Sequence, residues 1–294
     1  MTPGILDRFA HAGRGPRVAV VTDSTASLPA GVAERFGIEV VPLEVMIDGE
    51  RFHEGVDLSS AELLEALNAG RRVTTSQPAP AAFARAYAHA AARGAREIVS
   101  VHLSGELSGT VRAAELAALA APVPVHVIDS RSVVMGLGLA AVAAAELGSS
   151  DGASAAQRAR QVAASSSTVF LVDSLEYLRR GGRLGAGPAA MGTLLGLRPL
   201  LALQSGKIEV IEKVRTRRAA RERLESLTIA AATARGTAQV VVHHLGQPDV
   251  AAILARQLEA CLGEVVVAVQ VSEICAVIAA HAGPGLLAVV VADR

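Results

Sequence analysis

The feature that most constrains this chain is the alternation, through its first half, of short β-branched runs with alanine-rich stretches of helical length. The β-branched runs predict strands at residues 17–22, 39–47, 97–103 and 124–129. The stretches between them predict helices, one of which opens on a capping box formed by Ser59 and Glu62. Strands that alternate with helices fold into a parallel sheet flanked by helices, so we predict an α/β fold for this half.

The second half of the chain differs because it contains an antiparallel pattern. Residues 200–204 and 207–213 flank Ser205 and Gly206, which is typical of a β-hairpin with a two-residue turn. The other predicted elements of this half are helices at 217–234 and 249–261 and strands at 168–172, 239–243, 265–270 and 286–291. We therefore predict a C-terminal lobe of mixed α/β structure with an antiparallel hairpin.

The length of the chain predicts two domains, because single hydrophobic cores rarely grow beyond about 250 residues and this chain has 294. We expect a flexible N-terminal extension at 1–16, an N-terminal α/β domain at 17–165 and a C-terminal mixed α/β domain at 166–294. The boundary coincides with a run of serines that follows a predicted helix.

The composition excludes several classes of function. Lys plus Arg and Asp plus Glu both total 28, so no net charge draws the chain to nucleic acid or to an anionic membrane. No apolar run reaches the roughly 18 to 20 residues of a membrane-spanning helix, and Cys261 and Cys275 belong to no metal-binding cluster. We expect a cytoplasmic protein with no metal site, no cofactor, no nucleic-acid partner and no stable membrane insertion.

Polar residues follow two of the predicted strands at their carboxyl ends, where open α/β sheets bind ligands. Asp23 and Ser24 follow the first strand, and Ser104, Ser108 and Gly109 follow the third. The second group leads into a helix whose free N–H groups and dipole favour an anion such as a carboxylate. Asp and Ser also serve as turn and N-cap residues, so a structural role and a ligand-binding role both fit these positions.

Three further segments contribute candidate polar groups. Thr75 lies in a hydroxyl-rich predicted loop, Thr-Thr-Ser-Gln-Pro, which either caps the next helix or donates hydrogen bonds to a ligand. Arg183 follows two glycines and is a candidate partner for an anion. His281 lies in a predicted turn, His-Ala-Gly-Pro-Gly, whose glycines let the backbone approach a ligand closely, although a lone histidine is also commonly structural.

Two apparent motifs are not supported by their context. Gly136 and Gly138 fit a relaxed dinucleotide-binding pattern but fall within a predicted helix, which favours close helix packing instead. The residues before Gly109 do not match Gly-x-Ser-x-Gly, so no hydrolase nucleophile elbow is predicted. His243 and His244 lack a third ligand at metal-binding spacing and are interpreted as structural.

Seven short motifs, taken in this order, resemble those of the DegV family, whose members include the fatty-acid-binding subunits of bacterial fatty acid kinase. They are Thr-Asp-Ser-Thr at 22–25, Thr-Ser-Gln-Pro at 75–78, Leu-Ser-Gly-Thr at 107–110, Val-Ile-Asp-Ser at 127–130, Leu-Arg-Arg-Gly-Gly-Arg-Leu at 178–184, Arg-Pro-Leu-Leu at 198–201 and His-Ala-Gly-Pro-Gly at 281–285. No single motif decides the matter, but the ordered set is specific. The chain departs from the commonest family pattern at Ala79 and Gly105, where hydroxyl side chains are frequent.

The resemblance implies two α/β lobes that bury a fatty acyl chain between packed layers. It assigns the carboxylate of the ligand to Thr75 and Ser108, with assistance from His281 and Arg183. It suggests secondary contacts from Ser104, Gly109, Asp23 and Ser24. It also implies a partner, an ATP-dependent fatty acid kinase subunit that phosphorylates the bound carboxylate to an acyl phosphate for phospholipid synthesis. The chain would then be a carrier subunit with no catalytic residues of its own.

Two other functions remain open on the sequence. One is a serine-dependent enzyme for a small anionic substrate, with Ser108 or Ser104 as nucleophile and His281 as base. No acid partner or oxyanion hole for such an enzyme can be placed from the sequence. The other is a lipid-sensing regulator, which would use the same pocket as the carrier and differ only in its partner.

Overall fold

The structure is a computed structural model that describes residues 17–148, 151–185 and 197–293. Its strands are β1 (Val18–Asp23), β2 (Ile38–Val41), β3 (Glu44–Ile47), β4 (Glu50–His53), β5 (Val73–Ser76), β6 (Glu97–His102), β7 (Val125–Asp129), β8 (Ser167–Leu171), β9 (Arg198–Gln204), β10 (Lys207–Val214), β11 (Ala238–His244), β12 (Val266–Glu273) and β13 (Leu287–Asp293). Its α-helices are α1 (Val32–Phe36), α2 (Ser60–Asn68), α3 (Pro80–Ala92), α4 (Thr110–Ala118), α5 (Val134–Glu146), α6 (Gly152–Ser165), α7 (Glu176–Arg180), α8 (Arg217–Thr233), α9 (Pro248–Leu262) and α10 (Ala276–Ala282). The predicted N-terminal extension, 1–16, lies outside the described residues.

The first sheet has four parallel strands in the order β2-β1-β6-β7. Helices α3 and α4 pack on one face of this sheet, and α5 and α6 pack on the other. Every residue of β1 is buried, as suits a continuous apolar run in a sheet covered on both faces. The predicted parallel sheet flanked by helices is therefore confirmed, and the turns after β1 and β6 meet at one edge of it.

The second sheet has six strands in the order β10-β9-β8-β13-β11-β12, and among these described strands only β11 and β12 pair in parallel. β9 and β10 form the predicted hairpin. Ser205 and Gly206 at its turn have φ values of 49° and 83°, as a type I′ turn requires. Helices α8 and α9 cover one face of the sheet, which confirms the mixed α/β structure with an antiparallel hairpin.

A third sheet, in the order β4-β3-β5, was not predicted. The single strand expected across β2 and β3 is interrupted, because Pro42 has no N–H for a ladder and the N–H of Leu43 donates to Ser24 Oγ at 2.9 Å instead. β3 and β4 are joined at Asp48 and Gly49, whose φ values of 52° and 92° again fit a type I′ turn. This Asp-Gly pair is the sequence signal from which the extra hairpin could have been predicted.

Helix α5 packs between the two larger sheets. Residues 134–144 of this helix are all buried, and the helix contacts β1 and β6 of the first sheet and β13 of the second. Gly138 permits the close approach, because a Cβ there would lie 2.8 Å from the Ala26 carbonyl oxygen. The interpretation of Gly136 and Gly138 as helix-packing residues is confirmed. Because one core runs through both sheets, the division into domains at 165/166 stays a prediction.

The described ranges, 17–148, 151–185 and 197–293, contain no helix with the length and apolar character of a membrane span. The same ranges contain no group of three His, Cys, Asp or Glu side chains placed to hold a metal ion. Cys261 and Cys275 are both free thiols. The expectation that the protein uses no cofactor stays a prediction.

Candidate functional site

One cavity gathers the four residues to which the resemblance assigns the carboxylate, Thr75, Ser108, Arg183 and His281. It is lined by β5, the β6–α4 turn, the start of α5, β8, α10 and neighbouring strands. Fifteen of its 22 lining residues are Leu, Ile, Val, Ala or Phe. The other seven are Thr75, Ser76, Gln77, Ser108, Thr168, Arg183 and His281. A largely apolar wall with a few polar groups is typical of small-molecule sites.

The charge on this wall has one sign. Arg183 is the permanently charged residue of the lining, and none of the described lining residues is Asp or Glu. The Arg183 side chain is held by two carbonyl groups, since Nε donates to Leu107 at 3.0 Å and Nη1 donates to Gly181. Within the described part of the chain no carboxylate lies within ion-pair distance of Arg183. A cation beside hydroxyl groups, with no acid near it, favours an anionic ligand.

A hydrogen bond of 2.7 Å between Thr75 Oγ1 and His281 Nε2 joins two segments that are 206 residues apart in sequence. Thr75 lies on β5, opposite Val45 of β3, and not in the predicted loop. His281 lies in the last turn of α10, and not in the predicted turn, because the alanine-rich segment stays helical until Gly283 at φ 78°. Both predicted site residues reach the cavity, although from regular elements where irregular ones were expected.

The imidazole of His281 is neutral at pH 7. Burial, reinforced by the nearby Arg183 guanidinium, lowers the pKa of His281 to about 4. The neutral ring has one N–H donor and one acceptor nitrogen. Gly181 leaves room for the ring, because a Cβ there would lie 2.3 Å from His281 Nδ1. The Gly-Gly-Arg segment therefore both admits the histidine and supplies the neighbouring cation.

Ser108 lies in the turn that leads into α4, as the sequence predicted. Its hydroxyl is 2.8 Å from Thr110 Oγ1 and accepts from the Thr110 N–H at 3.3 Å. Gly109 is the N-cap of α4 and supplies no side-chain cap. A Cβ on Gly109 would lie 2.0 Å from Gln77 Oε1, so this glycine lets the Gln77 amide lie against the start of the helix. The N-terminal end of α4 thus borders the cavity with hydroxyl and amide groups.

Asp23 and Ser24 lie behind the wall of the cavity, which corrects the expectation that they border its mouth. The fully buried Asp23 side chain accepts from the Leu103 N–H at 3.0 Å and lies 3.0 Å from His102 Nδ1. Ser24 Oγ accepts from the Leu43 N–H at 2.9 Å. Because Leu103 and Leu43 both line the cavity, the two polar residues position its wall and do not face its interior.

Residues 17–294 match the family described as "Uncharacterised protein, DegV family". The chain belongs to the DegV family. A DegV domain-containing protein of Streptomyces coelicolor is 49% identical to it over 280 residues, which cover 94% of this chain and 99% of that protein. A DegV domain-containing protein of Deinococcus radiodurans is 36% identical over 282 residues, 92% of this chain and 97% of the relative.

Two solved DegV structures share the fold over nearly the whole chain. A DegV family protein from Thermus thermophilus, described by its fatty acid binding, is 35% identical with a TM-score of 0.85 and is matched over 95% of this chain and 100% of its own. DegV of Bacillus subtilis, described as a fatty acid binding protein, is 30% identical with a TM-score of 0.87 and the same coverage. The DegV fold is therefore common to this chain and to both neighbours.

Ser104, a predicted secondary contact, does not line the cavity. Its buried hydroxyl donates to the Gly206 carbonyl oxygen at 2.7 Å. This bond fastens the β6–α4 turn to the tip of the β9–β10 hairpin. Ser104 therefore holds the two larger sheets together beside the cavity, and the secondary contacts expected from it are corrected to a structural role.

Thr168 lines the cavity but was not predicted as a site residue. It lies in β8, and threonine is common in strands, so the local pattern gave no reason to single it out. The available signal was a hydroxyl among apolar residues on the buried face of a strand. That signal gains meaning only when the cavity beside it is known.

Proposed function

We propose that this DegV-family protein binds one long-chain fatty acid in the cavity, with the carboxylate at Thr75, Ser108, Arg183 and His281 and the acyl chain against the aliphatic wall. The observation that carries the proposal is the composition of that wall. Fifteen apolar residues surround seven polar ones, among which there is a single permanent cation and, in the described lining, no acid. Such a wall matches a ligand with one anionic end and a long apolar tail.

The two ends of the ligand contribute differently. Burial of the tail stabilises the complex by roughly 0.8 kcal/mol per methylene group, on the order of 10 kcal/mol for a long chain before ordering costs are subtracted. The carboxylate must keep hydrogen-bond partners when it leaves water. Arg183 provides N–H groups, and Thr75 and Ser108 provide hydroxyls, close to the N-terminal end of α4. The tail thus supplies most of the affinity, and the polar groups set the orientation of the ligand.

The DegV neighbours support this ligand class. The solved proteins from Thermus thermophilus and Bacillus subtilis are both described as fatty acid binding, at 35% and 30% identity to this chain. Each of these matches covers 95% of this chain.

The protein further acts as a carrier that presents the carboxylate to an ATP-dependent kinase subunit. In that step a carboxylate oxygen attacks the γ-phosphorus of ATP, ADP leaves, and the bound ligand becomes an acyl phosphate for phospholipid synthesis. The resemblance to fatty acid kinase subunits supports this role. The chain itself has no Gly-Lys-Ser/Thr sequence of a phosphate-binding loop, so the nucleotide would bind to the partner.

The geometry does not favour the serine-dependent enzyme. A nucleophile needs a base within hydrogen-bond reach, but His281 Nε2 is paired with Thr75. Ser108 is paired with Thr110, and Ser104 with the Gly206 carbonyl group. A lipid-sensing regulator would use the same cavity as the carrier and is separated from it by the second experiment below.

Native mass spectrometry of the purified protein, followed by denaturing extraction of the lipid, tests the ligand. We expect one long-chain fatty acid per chain, released on denaturation. An empty protein that also fails to take up added octadecanoic acid would contradict the proposal.

Acyl-phosphate formation tests the carrier role. The loaded protein is mixed with ATP and a purified bacterial fatty acid kinase subunit, and acyl phosphate is trapped with hydroxylamine as the hydroxamate. We expect hydroxamate that depends on both proteins. Stoichiometric lipid without hydroxamate would retain the fatty acid site and reject the carrier role in favour of the regulator.

A further inference from the structure

Thr168 places a hydroxyl group in the apolar part of the cavity. It is the second residue of β8, and its side chain shares a face of the sheet with Phe170. Thr168 is 4% exposed and lines the cavity together with Val133, Val134 and Leu203. A polar atom therefore interrupts a wall that is otherwise apolar in this region.

The hydroxyl of Thr168 differs from those of the other buried threonines. Thr22 and Thr228 donate to backbone carbonyl groups at 2.8 Å, and Thr25 and Thr110 bond to neighbouring side chains. Thr168 Oγ1 has no hydrogen-bond partner among residues 17–148, 151–185 and 197–293. Buried polar groups are nearly always hydrogen-bonded in proteins, so an unpartnered one that borders a cavity points to a ligand group.

Thr168 lies several strands away from the segment that contains Arg183. Leu184, next to Arg183, bridges to Ile208 of β10, and Ile208 pairs with Leu203 of β9. Leu203 in turn lies beside Thr168, one residue beyond the Val169–Ala202 pair. Three interstrand spacings of about 4.8 Å separate the two ends of this row, roughly 14 Å in all. A fatty acid whose carboxylate lies at Arg183 would therefore bring a more distant part of its acyl chain to Thr168.

We propose that Thr168 makes the cavity selective for fatty acids that carry a hydroxyl or keto oxygen in the middle of the acyl chain. This inference rests on the proposed fatty acid site and names the class of its ligand more closely. A threonine hydroxyl can donate to either kind of oxygen and can accept from a hydroxyl. A saturated chain leaves that hydroxyl unpaired, and sites of this kind discriminate against ligands that lack the matching polar group.

The test compares the affinities of delipidated protein for octadecanoic acid and for its 8-, 10- and 12-hydroxy derivatives, measured by calorimetry. We expect at least one hydroxylated acid to bind about tenfold more tightly than octadecanoic acid, as one additional hydrogen bond provides. Thr168→Val keeps the shape of the side chain and removes the hydroxyl, so it should abolish the preference. Thr168→Ser keeps the hydroxyl and should retain it.

Thr228→Val is the matched control. It removes a buried hydroxyl from α8, outside the cavity, and should leave the preference at its wild-type value. Equal affinity of the wild-type protein for all four acids would overturn the inference and leave the proposed function in place. A preference that persists in Thr168→Val would also overturn it. Failure of the wild-type protein to bind any of the acids would overturn the inference and the proposed function together.

Discussion

Two clusters of polar side chains, each built around a histidine, differ in how fully their hydrogen bonds are satisfied. In the first, which we call the Asp23 cluster, the carboxyl group of Asp23 meets His102, and hydrogen bonds of 2.7 and 2.9 Å continue through Ser100 to Tyr87. All four side chains are buried. Burial raises the pKa of Tyr87 to about 12, so the phenol stays protonated. The Asp23 cluster is closed, because its polar groups are occupied by one another.

The second cluster, the mouth cluster, comprises Thr75, Ser108, Arg183 and His281. Its groups border a cavity. Hydrogen bonds to two backbone carbonyl groups hold Arg183 beside that cavity, where its guanidinium can bind a carboxylate. Similar residue types therefore serve two purposes. Where donors and acceptors match, they stabilise the fold; where donors exceed acceptors beside a cavity, they can bind an anion.

The largest expected effect is a loss of stability when the Asp23 cluster is broken. Asp23→Ala leaves the N–H groups of Leu103 and Thr25 and one nitrogen of His102 without their partner. We expect the free energy of unfolding to fall by about 3–5 kcal/mol, because these groups stay buried. Urea denaturation measures the loss.

The control for Asp23→Ala is Glu176→Ala, which breaks an exposed ion pair with Arg180 on α7. Its urea midpoint should remain at the wild-type value within error, since exposed pairs contribute little. A small loss for Asp23→Ala, equal to that of the control, would show that the closed cluster is not structural.

The next largest effect is a loss of fatty acid affinity when the mouth cluster is changed. Arg183→Met removes the cation of the mouth cluster while keeping an apolar stem. We expect the affinity for octadecanoic acid to fall roughly 10- to 100-fold, the range of a hydrogen bond to a charged group, with little change in the urea midpoint. Calorimetry measures the affinity.

Arg218→Met, which removes an exposed arginine paired with Glu222 on α8, is the matched control and should bind like the wild-type protein. Equal affinities for Arg183→Met and Arg218→Met would remove Arg183 from the site.

The pH dependence of stability tests the neutral ring of His281. Its pKa in the folded protein, about 4, lies below its usual 6.5, so the unfolded chain takes up the proton first. The neutral ring therefore contributes its full share to the free energy of unfolding above about pH 6.5. As the pH falls toward 4 this share is lost, by about 1.4 kcal/mol per pH unit for one histidine. His243, whose pKa burial also lowers to about 4, acts in the same direction.

His281→Gln should therefore reduce the slope of unfolding free energy against pH, between about pH 6.5 and 4, by the contribution of one histidine. The contribution of His243 to the slope should remain. Urea titrations at several pH values measure the slope. The same slope in the variant and the wild-type protein would contradict a buried neutral ring at the mouth.

The smallest expected effect concerns Ser108. Ser108→Ala removes one hydroxyl from the mouth cluster, and we expect octadecanoic acid to bind about fivefold more weakly, as the loss of one neutral hydrogen bond implies. Ser226→Ala removes an exposed hydroxyl on α8 and should have no effect. Unchanged binding and unchanged hydroxamate yield in Ser108→Ala would exclude its assigned role.

The elements of this fold were predictable where local chemistry and burial agree. The capping box of Ser59 and Glu62 starts α2 as expected, and the turn at Ser205 and Gly206 fixes the hairpin. The third sheet was missed because its strands are short and partly exposed, and because Pro42 divides a run that otherwise reads as one strand.

The candidate site was predictable only in part for a different reason. Thr75, Ser108, Arg183 and His281 occur in family motifs, and the structure brings them to one cavity. Asp23 occurs in an equally clear motif but lies in the closed cluster. Local sequence cannot distinguish the two cases, because they differ in long-range contacts, such as that between Asp23 and Leu103, 80 residues apart.

The position of β13 in the second sheet predicts a late step in folding. It follows every other described strand in the chain, yet it lies between β8 and β11 and joins two otherwise separate ladders. Until it inserts, a folding chain carries two partial sheets with open edges, which are prone to aggregation. We expect ligand binding to depend on the same step, because α10, which carries His281, immediately precedes β13. Pulse-labelled hydrogen exchange during refolding should find the amides of β13 and the facing edges of β8 and β11 protected last.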